Sequence, residues 1–379
     1  MAVIAIDYTP AHEQGGGIGR YVRELIDALQ AQPNDHHYRL LVAGATSPPS
    51  HPITPQFTWC TTPLTTQWLA RIWHRARLPL PVEAFTGKVD LYHATDFTLP
   101  PTLPQTRTLL TVHDLSFTRT PETAHPRLRR YLERVVPRSV ARADHILADS
   151  VATKQDLMAL YGTPAEKITV LLSGVNHKFH PIANSTAQQS VRAKYQLGDA
   201  PYIFAVGTVQ PRKNYARLVR ALHQIRQQGQ DIHLVIAGGR GWLEDELYAT
   251  IKQLDISPFV HLIGYADDSD IPALYSAARC SAFISLYEGF GLPILESMAC
   301  GTPVVTANVS SLPEVAGDAA LMVNDPTDIQ QIVEQLTRLL LDSQLHATLT
   351  QRGLVQAAQF TWENSARQLL TVYNQLLSS

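Results

Sequence analysis

The stretch Glu288-Gly289-Phe290-Gly291-Leu292-Pro293-Ile294-Leu295-Glu296-Ser297-Met298-Ala299-Cys300-Gly301-Thr302-Pro303-Val304-Val305 decides the fold. It reads as loop, helix start, helix stop and strand. A Gly-rich turn holds Glu288, an apolar stretch carries Glu296, and a Gly-Thr-Pro break leads into the β-branched run Val304-Val305-Thr306. Gly289 and Gly291 free the backbone to approach a ligand closely. The N–H groups where the helix starts favour an anion such as a diphosphate. One carboxylate on the turn and another in the helix can grip two hydroxyl-bearing parts of one ligand, which suits a nucleotide-sugar. Taken alone, the stretch also fits an ordinary loop–helix–strand unit with two solvated glutamates.

Working outward, strand-like apolar runs alternate with helical patterns along the whole chain. This alternation predicts an α/β fold with parallel sheets. The runs in the first half are Val3–Ile6, Tyr38–Ala43, Leu109–Val112, His145–Ala148 and Ile168–Leu171. In the second half they are Tyr202–Val206, His233–Ala237, Val260–Leu262, Ser281–Ile284 and Pro303–Thr306. Helices are expected after Gly19, at Ser150 with that serine as N-cap and a stop near Gly162, after Asn214 and after Asp270. The polar stretch Pro181 to Gln189 is read as the linker between two doubly wound domains, residues 1–183 and 184–362. Ligands of such sheets lie beyond the carboxyl ends of the strands, and two such domains facing one another would form a cleft.

Three more strand ends carry candidate chemistry. The loop Gln14-Gly15-Gly16-Gly17-Ile18-Gly19-Arg20-Tyr21 runs from the first strand into a helix. It forms an anion-accepting lip without dinucleotide or Walker spacing, although a merely tight turn would read the same way. Thr111-Val112-His113-Asp114-Leu115 places His113 at a carboxyl end. His93, within Leu91-Tyr92-His93-Ala94-Thr95-Asp96, also follows a short apolar run; a place near an acceptor and a structural role both fit it. Val206-Gly207-Thr208-Val209-Gln210-Pro211-Arg212-Lys213-Asn214 sets a guanidinium fork and an ammonium point charge side by side, a natural diphosphate clamp.

Composition narrows the classes. With 379 residues, two domains are expected. The 31 basic and 33 acidic residues leave a net charge of -2, which gives no electrostatic case for nucleic acid. Cys60, Cys280 and Cys300 are widely spaced, with neither a disulfide framework nor zinc spacing, so a reducing compartment is expected. The N-terminus shows no signal-peptide pattern, and no window approaches the roughly 20 apolar residues of a membrane span. The chain is therefore expected in the cytoplasm, with peripheral contact at the inner membrane face as an option. The segment Gln67 to Arg77 has a helical period, with Trp68, Leu69, Ile72, Trp73 and Ala76 on one face and Arg71 and Arg75 on another. Core packing and a place on an anionic membrane both suit it. Arg127-Leu128-Arg129-Arg130 reads as the solvated face of a helix.

The opening stretch resembles the Glu-x7-Glu signature of a large family of retaining glycosyltransferases, family 4, built on the two-domain GT-B fold. Both glutamates, the Gly-Phe-Gly-Leu-Pro turn and the Gly-Thr-Pro-Val-Val tail stand in register. Pro211-Arg212-Lys213-Asn214, Gly238-Gly239, Gly264-Tyr265 and the segment Ser310 to Asp318 extend the likeness over nearly the whole chain; it is strongest from Gly207 to Asp318 and thinnest from Thr46 to Lys88. The resemblance implies two Rossmann-like domains facing a central cleft. The first would serve the acceptor and the second, 184–362, would bind the nucleotide-sugar; the final helix, 363–379, would cross back to the first.

It also implies residue roles. Glu288 would bind hydroxyls of the donor sugar, Glu296 the ribose, and His113 the sugar from the opposite domain. Arg212 and Lys213, with backbone groups of Gly289, Phe290, Gly291 and Leu292, would hold the diphosphate. Gly16 and Gly17 would face the diphosphate and the acceptor, Gly207 and Thr208 would line the phosphates, and the backbone around Tyr265 would hold the base. Thr208 departs from the family, where arginine commonly follows the strand-ending glycine. No cofactor, metal or protein nucleophile is implied, since attack is thought to come from the front face with the leaving phosphate taking the acceptor proton. The overall pattern is similar to bacterial mannosyltransferases of surface polysaccharides, the mannosyltransferase B-like members, making GDP-mannose the first expected donor and UDP-glucose or UDP-N-acetylglucosamine the second. The acceptor would be a glycan or a lipid-linked hydroxyl. A GT-B-fold epimerase of UDP-N-acetylglucosamine and a non-enzymatic nucleotide-sugar-binding partner are the competing readings.

Overall fold

The computed structural model describes residues 1–378, and two wholly parallel sheets organise them. The first contains β1 (Val3–Asp7), β2 (His37–Ala43), β3 (Phe57–Thr62), β4 (Leu91–Ala94), β5 (Arg107–Val112), β6 (His145–Ala148) and β7 (Ile168–Val170), in the order β3-β2-β1-β4-β5-β6-β7. The second contains β8 (Tyr202–Val206), β9 (His233–Ala237), β10 (Val260–Gly264), β11 (Cys280–Phe283), β12 (Val304–Ala307) and β13 (Ala320–Val323), in the order β10-β9-β8-β11-β12-β13. Parallel strands need crossover connections, and the helices between them cover both faces. The central strands are therefore mostly apolar: Leu40, Leu109, Leu110, Ile203, Phe204 and Leu234 are fully buried. Strand order reverses between β1 and β4 and again between β8 and β11, and these switch points open crevices at the carboxyl ends. The Gly-rich loop follows β1 and the Arg-Lys turn follows β8, so both switch points carry residues the sequence singles out.

The chain divides into two compact units. Met1–Leu115, Arg127–Gly174 and the segment from Thr361 onward form the first; Ser116–Pro126 and Val175–Phe360 form the second. In the first unit the helix Trp362–Ser378 packs on the helix Gly17–Gln30. Tyr373 is fully buried there, its hydroxyl 2.8 Å from His93 Nδ1, and Ser365 Oγ donates to the Leu172 carbonyl at 2.6 Å. The polar stretch read as a linker is partly helix: Ser185–Lys194 is helical, and the Asn184 side chain caps it by accepting from Thr186 N at 2.9 Å. Asn184-Ser185-Thr186 is therefore a helix start, and polar composition alone does not separate a cap from a linker.

Several local signals hold as read. Ser150 caps the helix Val151–Tyr161 by accepting from Thr153 N, and Gly162 ends it at φ +63°. The helices Tyr215–Gln227 and Ile271–Ser276 begin after Asn214 and Asp270. The first long helix begins three residues earlier than expected, at Gly17. Three strands are missing from the apolar runs read in the sequence, β3, β4 and β13; β4 entered only as the short run before His93. β3 lies at a sheet edge and mixes polar with apolar residues, β4 is a four-residue central strand interrupted by His93, and β13 is apolar but only four residues long. The stretch from Gln67 does not keep one apolar face. Thr66–Ala70 is α-helical and Arg71–Arg75 is a π-turn, which rotates the later side chains off the stripe. Leu69 is buried, Trp73 Nε1 donates to the Leu80 carbonyl, and Trp68 stays 54% exposed beneath the Arg71 guanidinium.

The buried Ser150 cap gives a direct test of this local reading. Ser150→Ala should lower stability by about 1–2 kcal/mol, seen as an earlier midpoint in denaturant unfolding. An unchanged midpoint would show that the cap does not stabilise the helix.

Candidate active site

The second unit's site is assembled where β8 and β11 end. Gly207 leaves β8 at φ +140°, a conformation open to glycine, and a Cβ there would sit 3.0 Å from Lys213 Cε. The chain then makes a 3-10 turn, Pro211–Lys213, and Asn214 closes it in the left-handed region at φ +61°. Buried Asn214 ties this turn down by donating through Nδ2 to the carbonyls of Ile284 (3.0 Å) and Pro326 (2.7 Å). Leu286 N donates to the Arg212 carbonyl at 2.8 Å. The cation-bearing turn is thus sewn to the end of β11 before any side-chain charge is counted.

Glu288 lies between the two cations. Arg212 Nη1 donates to Oε2 at 2.5 Å, Lys213 Nζ donates to Oε1 at 2.7 Å, and Ser285 Oγ donates to Oε1 at 2.6 Å. Arg212 also donates to the Tyr287 carbonyl at 2.7 Å. The turn itself is pinned by two serines: Glu288 N donates to Ser310 Oγ, and Ser311 Oγ donates to the carbonyls of Glu288 and Phe290. Glu288 is only 9% exposed. Burial pushes its carboxyl up, but the charges of Arg212 and Lys213 and the hydrogen bonds from Lys213 and Ser285 outweigh it and bring the pKa down to about 2. Two cations facing one carboxylate leave net positive charge at the strand ends, where an anion would be drawn.

Gly291 precedes the helix Leu292–Ala299 at φ +112°. Glu296 lies within that helix, 3% exposed, with the Tyr275 hydroxyl 3.3 Å from Oε2. Phe290 is buried, whereas Thr208 is exposed and Tyr265 is 62% exposed. Arg212, Lys213, Glu288 and the glycine turn therefore come together as the sequence suggests. Ser285, Ser310 and Ser311 complete the cluster; the first had no distinguishing signal, and the other two lay in a matched segment without an assigned role.

The first unit places the Gly-rich loop beyond β1 and His113 at the carboxyl end of β5. Gly16 and Gly17 are exposed at the start of a helix, with open space where a side chain would be. Gly19 is needed for packing, because a Cβ would fall 2.1 Å from the Gln14 carbonyl oxygen. Arg23 staples the loop by donating to the carbonyls of Ala11, Gln14 and Gly15. His113 is 6% exposed and both ring nitrogens are engaged: Nδ1 lies 2.8 Å from Asp149 Oδ2, and Nε2 donates to the Thr95 carbonyl at 2.8 Å. Burial alone would lower its pKa, but the charge and hydrogen bond of Asp149, with Asp96 and the Thr95 carbonyl, raise it to about 9. Burial raises the Asp7 carboxyl to about 6, helped by Asp96 and Glu13 and opposed by hydrogen bonds from Thr9. His93 lies inside β4, 1% exposed, between the Tyr373 hydroxyl and Thr111 Oγ1. It is a core residue and has no surface to offer an acceptor. Among the described residues, no group of three or more His, Cys, Asp or Glu is placed to hold a metal ion, and no helix is long and apolar enough to cross a membrane.

Known proteins share this layout. Residues 187–356 match the family model of glycosyl transferases group 1, and residues 15–179 match that of glycosyltransferase family 4. The chain is 38% identical over 288 residues to the O-antigen chain mannosyltransferase B of Escherichia coli, covering 76% of this chain and 74% of that one. It is 31% identical over 244 residues to a serotype-specific mannosyltransferase, WbdA, of Escherichia coli, covering 63% of this chain and 29% of that longer protein. A sucrose-phosphate synthase structure from Thermosynechococcus elongatus superposes with a TM-score of 0.78 over the full length of both chains at 23% identity, a likeness of fold. The two parallel sheets and these matches define a GT-B glycosyltransferase. The chain belongs to glycosyltransferase family 4, and its relatives include mannosyltransferases named for O-antigen synthesis.

The Glu288 cluster sets an acid limit on stability. A carboxyl held low in the folded state contributes stability above its ordinary value of 4.5, and that contribution is lost as pH falls towards about 2. The loss should be about 3 kcal/mol. Denaturant unfolding at pH 5 and pH 2.5 should show this drop in the wild type and a smaller one in Glu288→Gln. Equal drops would show that Glu288 is not held ionised.

Proposed function

We propose that the enzyme transfers a hexose, with retention at the anomeric carbon, from a nucleoside-diphosphate sugar to a hydroxyl of a glycan or lipid-linked acceptor in surface polysaccharide or glycolipid synthesis. GDP-mannose is the first-choice donor. The observation that carries this reading is the buried Glu288 carboxylate bound by Arg212 and Lys213 at the start of a helix that also carries Glu296. A carboxylate offers about four lone-pair sites, so Glu288 retains capacity for sugar hydroxyls while bound to its cations. Arg212, Lys213 and the amides around Gly289 to Leu292 offset the charge that develops on a departing diphosphate. Glu296 holds the ribose, and the backbone by Tyr265 holds the base. Gly16 and Gly17 serve the diphosphate and the acceptor. Proton transfer from the acceptor hydroxyl to the leaving phosphate completes the exchange without a metal or a protein nucleophile. The mannosyltransferase names of the relatives favour mannose.

The reading divides labour between the two halves of the chain, with the donor on residues 184–362 and the acceptor on residues 1–183. His113 contributes from the first half through its ring and charge, since both its nitrogens are committed within the protein. A UDP-sugar donor or epimerisation of UDP-N-acetylglucosamine would use the same clamp, so the nucleotide decides between them.

Two measurements test the proposal. Thermal-shift titration against GDP, UDP, ADP and their sugar conjugates should give the largest rise with GDP and GDP-mannose, because a ligand that binds the folded form alone stabilises it in step with its affinity. A larger rise with UDP would discard mannose, and no rise with any nucleotide would sink the donor site. Glu288→Ala should cut turnover by on the order of a hundredfold or more. Wild-type turnover in that variant would remove the assignment.

A further inference from the structure

Asp149 has no part in the readings above. It follows β6 directly, on the strand that pairs with β5, and is 6% exposed. Its Oδ2 lies 2.8 Å from His113 Nδ1, while its Oδ1 is buried without a hydrogen-bond partner. On the other side of the ring, Nε2 donates to the Thr95 carbonyl after β4. Tyr21 meets the ring edge-on with centroids 5.1 Å apart, and Phe97, at φ +53°, does the same at 5.4 Å. The imidazole is thus held by two hydrogen bonds and two aromatic rings, and it cannot turn without breaking both bonds.

We propose that Asp149 is a positioning residue for the reaction: its carboxylate fixes the His113 ring in this orientation and keeps a positive charge at the carboxyl end of β5. A carbonyl takes the Nε2 proton, so a proton between Nδ1 and the carboxylate makes an imidazolium–carboxylate pair, and each ion offsets the other's burial. The titratable groups around the ring are Asp149, Asp96, His93 and Tyr21, with Asp114 next along the chain and Glu13 beyond Asp96. The neighbouring carboxylates favour the charged ring. His93 is pushed down to about 3 by burial and then by the charge on His113, so it stays neutral. Ligands of such a sheet lie beyond the carboxyl ends of its strands, so a fixed cation there favours an electron-rich or negatively charged ligand group. This functional part rests on the reading of His113 as a donor-side residue.

Asp149→Asn separates charge from shape. The asparagine amide can donate to Nδ1 and keep the ring oriented, but it leaves the ring neutral at neutral pH. Histidine-labelled NMR of the full chain, with the His113 signal identified by its loss in His113→Gln, should show a two-proton ring in the wild type up to about pH 9 and a neutral ring in Asp149→Asn at pH 8. Release of GDP from GDP-mannose, with water taking the mannosyl group, should fall about tenfold or more in kcat at pH 8 in the variant, recovering as pH is lowered, with GDP affinity changed less than about twofold. A neutral His113 in the wild type at pH 7.5, or an unchanged kcat and pH profile in Asp149→Asn, would overturn the proposal. If the variant does not fold, the wild-type ring titration alone decides the charge claim. If the wild type releases no nucleotide from GDP-mannose or UDP-glucose, the functional reading fails, while the ring titration still decides whether Asp149 holds the charge.

Discussion

A buried carboxylate between two cations is the constraint around which the second unit is organised. Removing Glu288 from water is costly unless its lone pairs are met by charge and hydrogen bonds. Arg212, Lys213 and Ser285 meet them, but only because the backbone puts them there. Asn214 turns left-handed to close the Arg-Lys turn, Gly207 leaves room for the lysine stem, and Leu286 is bonded to the Arg212 carbonyl. Gly238 belongs to the same constraint. A Cβ on it would fall 2.0 Å from the Gly207 carbonyl oxygen, so the loops after β8 and β9 can approach only with glycine there. The residues proposed to hold the donor and those that hold the loops together form one set.

The first unit solves a similar problem with the opposite sign. There the His113 ring is buried among carboxylates, Asp149 at bonding distance and Asp96 nearby, which favour its charged form. His93 lies in β4 and His113 just after β5, and burial holds the pKa of the first down while carboxylates hold that of the second up. His93 sits between two hydroxyl groups in the sheet interior, and His113 meets a carboxylate at the sheet's end. Environment, rather than residue type, sets the two apart.

What was legible in the sequence follows the range of the physics involved. Most apolar runs of the central strands, the Ser150 cap and the helix starts after Asn214 and Asp270 are local patterns, and they read correctly. The glycine turn at Glu288 and the Arg-Lys pair were legible because charge and backbone freedom leave few other uses for such residues. The edge strand β3 carries no continuous apolar signal, because most of its residues are only partly buried or exposed. The roles of the serines that bind Glu288 were hidden for a different reason. Ser285 has no distinguishing sequence surroundings, and Ser310, although within a matched segment, reaches Glu288 only through a position set by tertiary structure. Asp149 was hidden in the same way. Its partner lies on the neighbouring strand 36 positions earlier, a pairing that sheet order creates and sequence distance conceals.

The interleaving of the two units also has a consequence for how the chain is made. The first unit's core includes Tyr373, and the Gly174 backbone packs so tightly that a Cβ there would fall 2.2 Å from Trp362 N. A ribosome delivers residues 175–360 before those contacts exist. The second sheet can therefore assemble on the nascent chain while the first waits, its hollow between β4 and the helix Gly17–Gln30 still open to chaperones. The helix Trp362–Ser378 closes the unit that began first, so a chain stopped within 361–378 would leave the apolar surface of the earlier half exposed.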